Sequence, residues 1–104
     1  MTEDEVRRIL LSFEGATEGE HHGHPDFRIG KSIFATISPD RKHTVVRVPY
    51  ELAQSLAAED PKNRRVVNKP GDWGWLSIAL ESISPEDYES VAREAWSALA
   101  RKPK

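Results

Sequence analysis

The chain of 104 residues contains no cysteine. That excludes a disulfide framework and thiolate chemistry, and it suits a reducing compartment. Long apolar runs are missing as well: none approaches the roughly 18–20 residues that a membrane-spanning helix needs. The acidic start, MTEDEVRR, lacks the basic-then-apolar layout of a signal peptide. A cytoplasmic location with no membrane partner is therefore expected. An excess of either charge is also lacking, because 15 Lys and Arg stand against 17 Asp and Glu for a net −2. A strongly basic balance would have pointed directly to nucleic acid.

Signatures of catalysis are equally scarce. The sequence has no phosphate-cradling GxxxxGK[ST], HExxH, nucleophile elbow, zinc-deaminase pattern or dinucleotide fingerprint. Glu18 and Glu20 fall in a polar stretch, a poor setting for paired carboxylates that need a fixed separation. His21, His22 and His24 beside them would suit a transition metal by residue type. A tetrahedral site, however, usually draws ligands from separated parts of a chain, and the simpler reading is a polar loop in which His24 caps a turn ahead of Pro25. No catalytic residue, metal or cofactor is assigned, and a non-enzymatic protein is expected.

What is present is periodicity. With 38% hydrophobic and 31% charged residues, the length suits one domain, residues 1–104, built on one core. Thr2 and Glu5 form a capping box, and Val6, Ile9, Leu10 and Phe13 then make a helical stripe that Gly15 ends. Residues 16–25 read as a loop. Phe27 and Ile29 alternate with Arg28, and Gly30-Lys31 fits a type II′ hairpin turn. The return strand Ser32–Ile37 is expected to turn Ile33, Ala35 and Ile37 to one side and Phe34 and Thr36 to the other. Residues 44–48 form a third strand with Val46 and Val48 inward.

Pro49 opens a second helix, in which Leu52 and Leu56 make contacts while Ala53 and Ala57 allow close approach. Residues 64–67 form a short strand candidate. A loop over Lys69–Gly74 follows, then a strand with Leu76, Ile78 and Leu80 inward. Ser84-Pro85-Glu86-Asp87 starts a third helix whose apolar face runs from Tyr88 to Leu99. The expectation is an α+β domain, a largely antiparallel sheet with helices packed on one face, in the order α-β-β-β-α-β(β)-α.

Charge is unevenly spread along this frame. Residues 26–48 carry five Lys or Arg against two Asp, and residues 62–69 carry four and no acid. These stretches total +7, leaving −9 elsewhere. Alternation puts Arg28 and Arg47 opposite the inward residues, and Trp75 turns away from Leu76 and Ile78. Lys62, Arg64, Arg65 and Lys69 would extend that surface, and the loop bearing Trp73 could act as a wing or as a plain turn. Cations there would grip phosphates and indoles would stack bases. In the competing reading the chain is a protein-interaction or self-associating domain, with the acids of the third helix (Glu86, Asp87, Glu89 and Glu94) as the complement to the basic surface.

Three short motifs carry a resemblance. Residues 23–29, GHPDFRI, residues 31–35, KSIFA, and the pair Gly74-Trp75 ahead of a strand resemble the MmcQ/YjbR-like family, small proteins commonly labelled DNA-binding. The resemblance covers essentially the whole chain. It implies a fold similar to the frataxin-like CyaY arrangement, with β-hairpins acting as paired wings on double-stranded DNA. On this basis Arg28, Lys31, Arg47, Arg64, Arg65 and Lys69 are expected to contact phosphate, with Trp73 or Trp75 stacking on bases.

Overall fold

The structure is a computed structural model that describes residues 1–69 and 71–100, apart from the His21 side chain. Helix α1 (Glu3–Leu11) begins with the expected capping box: Thr2 accepts the Glu5 N–H and Glu5 accepts the Thr2 N–H. Its Val6, Ile9 and Leu10 are buried. Strands β1 (Ala16–His21), β2 (His24–Ile29), β3 (Ser32–Ile37) and β4 (His43–Pro49) follow as a meander. Helix α2 (Tyr50–Glu59), β5 (Arg64–Asn68), β6 (Trp73–Ala79), a short 3₁₀ turn (Leu80–Ser82) and α3 (Pro85–Ala100) complete the chain.

All strand pairs are antiparallel, in the order β1-β2-β3-β4-β6-β5. The three helices cover one face. Helix α1 packs on β1 and α3, α2 on β4–β6, and α3 on β2–β4. Between helices and sheet, Phe27, Phe34, Ile37, Val46, Leu76, Ile78 and Tyr88 are fully buried. The Tyr88 hydroxyl lies 2.8 Å from Thr44 Oγ1, which donates to the Thr36 carbonyl at 3.0 Å, so the polar atoms in this core have partners. Burial pushes the Tyr88 hydroxyl well above the usual phenol range, outweighing the Thr44 bond that acts the other way.

Four expectations change. Residues 16–25 are not a loop, because Ala16–His21 pairs along its length with β2. Residues such as Glu and Gly are poor strand formers in isolation, but this is an edge strand, where charged side chains are tolerated and discourage unwanted pairing. The turn between β1 and β2 has positive φ at His22 and Gly23, 52° and 83°, as a type I′ hairpin requires.

In β3, a bulge opposite Phe27/Arg28 breaks the alternation. Phe34 and Ala35 are both fully buried, and Ile33 turns outward opposite Arg28. Strand β6 begins at Trp73, so the Lys69–Gly74 loop is shorter than expected. Pro49 ends β4 and caps α2 instead of opening it, while the Tyr50 N–H is satisfied by the Asp72 carbonyl at 2.9 Å.

Candidate nucleic-acid interface

The sheet face away from the helices is assembled from alternate residues of every strand. Register sets Arg47 opposite Trp75, Arg65 opposite Ser77, and Pro49 opposite Trp73. Arg47 also lies over the Trp73 ring, 4.4 Å from its centroid. The guanidinium thus rests on the half-buried Trp73 indole, a contact worth roughly 0.5–2 kcal/mol, with half-buried Trp75 paired to Arg47 across the strands. Among the described residues, the outward strand positions hold three guanidiniums, Arg28, Arg47 and Arg65, against one carboxylate, Asp26.

That carboxylate is committed to Arg28. Arg28 donates from Nε and Nη2 to the two Asp26 oxygens, both at 2.9 Å. The Asp26 hydrogen bonds and charge raise the pKa of the Arg28 guanidinium above its usual value. Asp26 itself is fully buried, lying over Gly19, where a Cβ would come within 2.9 Å of its Oδ1. Arg28 is accordingly a neutralised cation, and Arg47 and Arg65 carry the net charge of this face.

The other expected residues divide. Lys69 stands at the Trp73 end, its Nζ 4.8 Å from the Tyr50 ring centroid and donating to the Gly71 carbonyl at 3.0 Å. Lys31 is exposed at the tip of the β2–β3 hairpin, next to Gly30 with φ 63°. Arg64 belongs to the opposite face. It pairs with inward Ile78, and its guanidinium lies under α2, donating to the Leu56 carbonyl at 3.4 Å and to Glu59 at 3.3 Å. Its Nε is buried without a partner. Consecutive strand residues face opposite sides, so the Arg64 side chain turns away from that of Arg65.

Sequence reading missed a polar notch beside Arg65. It encloses about 350 Å³ and is lined by His43, Lys62, Asn63, Arg65 and Ser77, with Pro61 and Arg64 completing the wall. No carboxylate lines it. Its residues come from β4, β5, β6 and the turn before β5, a juxtaposition that depends on strand order and that no local motif announces.

The histidines are spread over strand and turn. His24 Nδ1 is 2.9 Å from the Ile37 carbonyl, His22 is in the hairpin turn, and the His21 side chain lies outside the described residues. Among the described residues, no three His, Cys, Asp or Glu are grouped to hold a metal ion. No helix among them is long and apolar enough to cross a membrane.

A family model described as YjbR matches residues 11–98, from the end of α1 almost to the end of α3. The chain belongs to the YjbR family. A fold like that of this YjbR chain is found in the crystal structure of Deinococcus radiodurans protein DR2400, a DUF419 domain. The TM-score is 0.79 over 97% of this chain and 80% of that one, at 16% identity. No curated protein matches the chain.

Proposed function

We propose that this YjbR protein is a non-enzymatic, cytoplasmic binding protein that engages double-stranded DNA through the helix-free face of its sheet. The observation that carries the reading is Arg47 stacked on Trp73 and paired across the strands with Trp75, on a face with three guanidiniums and one carboxylate. Arg47, Arg65 and Lys69 contact phosphate, and the cation-lined notch beside Arg65 receives a phosphate group. Trp73 and Trp75 stack on bases or sugars at the strand ends. Arg28, neutralised by Asp26, adds no net charge, and Lys31 reaches the backbone from the hairpin tip as a wing. The Arg64 guanidinium, tied to Leu56 and Glu59 under α2, makes no phosphate contact. The CyaY-like arrangement belongs to the same reading, since it leaves one sheet face free for a partner.

The test is a titration of labelled duplex and single strand at several salt concentrations. Four phosphate contacts, from Arg47, Arg65, Lys69 and Lys31, give a slope of log K against log salt of about −3.6, and Arg47→Ala or Arg65→Ala reduces its magnitude by about 1. Arg93→Gln, on the exposed side of α3, serves as the control and leaves the slope unchanged. Salt-dependent binding that prefers duplex supports the reading. Binding with no salt dependence, or no binding at micromolar protein, overturns it.

A further inference from the structure

Helices α2 and α3 lie on the same side of the sheet without closing on each other. The reason is a close approach elsewhere. Ala53 is fully buried against Gly74, where an added Cβ would stand 2.8 Å from the Ala53 Cβ. This contact draws α2 onto β6 and leaves the larger Leu52 and Leu56 only partly buried. A surface helix normally turns its largest apolar side chains furthest inward. Here the smallest is deepest, and the leucines line a gap.

Across that gap α3 offers Asp87, Ser90, Val91 and Glu94, whose i, i+3, i+4, i+7 spacing makes a single stripe. Leu52, Leu56, Val91 and Glu94 line a cavity of about 390 Å³. A second cavity of about 220 Å³ shares Leu56, Ser90 and Val91 with it and adds Ile83, Glu59 and Asp87. The two form one groove spanning two turns of α3, about 10 Å. Its floor is apolar and its rims are acidic. Arg64, the cation lining it, is already held by Glu59 at 3.3 Å, whereas no ion pair among the described residues engages Asp87 or Glu94.

We propose that this groove binds a basic amphipathic helix of a partner protein. Two apolar anchors one turn apart would cover Leu52, Leu56 and Val91, and flanking Lys or Arg would meet Asp87 and Glu94. The charge of the rims selects the occupant: it repels nucleic acid and acidic helices and attracts a cationic one. Because the groove lies on the helical side of the sheet, the inference does not depend on the nucleic-acid reading.

The probe is a synthetic helix of about 14 residues, leucine on one face and lysine on the other, set against a scrambled peptide of the same composition. Backbone amide shifts and anisotropy are followed in the full chain. The patterned peptide is expected to shift α2 and α3 amides around Leu56 and Val91. Glu94→Lys, a fully surface change, is expected to weaken binding about tenfold, and Leu52→Ala, checked for unchanged folding, by a similar factor. Arg47→Ala should leave peptide affinity unchanged. Shifts centred on the open sheet face, equal binding of the scrambled peptide, indifference to Glu94→Lys, or no binding each overturn the proposal.

Discussion

A carboxylate that accepts hydrogen bonds in its charged form resists protonation, and Asp40 shows the effect in the β3–β4 turn. The Ser38 hydroxyl bond is the largest cause, followed by the Lys42 N–H at 2.8 Å and then His43, and together they hold its pKa down to about 2 from 3.8. Because the folded value is depressed, the turn gains stability above pH 3.8, and that gain is lost as pH falls toward 2. A carboxyl-carbon NMR titration should give a midpoint near 2 for Asp40. In Ser38→Ala the midpoint should rise toward 3.8; no movement would show that the Ser38 bond is not the cause. Residue-scale features of this kind were partly legible. The capping box and the Gly30 turn follow from local chemistry, whereas the room for the buried Asp26 carboxylate comes from Gly19 on the neighbouring strand.

Elements meet at distances that one side chain can forbid. At Gly74 the nearest atoms to an added Cβ are the Ala53 Cβ at 2.8 Å and Tyr50 Cδ1 at 3.4 Å, inside the separation at which carbon atoms attract. Gly74→Ala should therefore destabilise by about 1–3 kcal/mol, as overpacking does. Thermal unfolding would show a fall of several degrees, about 4–8 °C per kcal/mol at this size. Adding Ala53→Gly should recover much of the loss, and a double mutant no better than the single would place the clash elsewhere. The Gly-Trp pair was visible in the sequence, but its reason was not, because it involves a helix 21 residues earlier. The β3 bulge was hidden for the same reason. Residues 32–37 read as plain alternation, and only pairing to β2 moves Phe34 inward and Ile33 outward.

At the scale of the whole molecule, the sheet separates two surfaces of opposite character. Arg47, Trp73 and Trp75 occupy one side, and the Leu52–Val91 groove with its acidic rims occupies the other. Residues on opposite faces share no partners, so their effects should add. Duplex and the lysine–leucine helix should consequently bind together, each with an affinity within about twofold of its value alone. Amide shifts on adding one ligand to the complex of the other check this, and helix-induced shifts that move from α2 and α3 to the open sheet face would mean that both ligands use one face.

The class of fold, the starts of α1 and α3, the β2–β3 turn and the outward setting of Arg28, Arg47 and Trp75 were determined by the sequence, because period, caps and turn residues act over a few neighbouring positions. Tertiary structure alone decided that polar residues 16–21 form an edge strand, that Arg64 turns under α2, and that a notch and a groove open on opposite sides. These depend on which strands pair and how closely a helix approaches them, and such contacts join residues that local periodicity cannot connect.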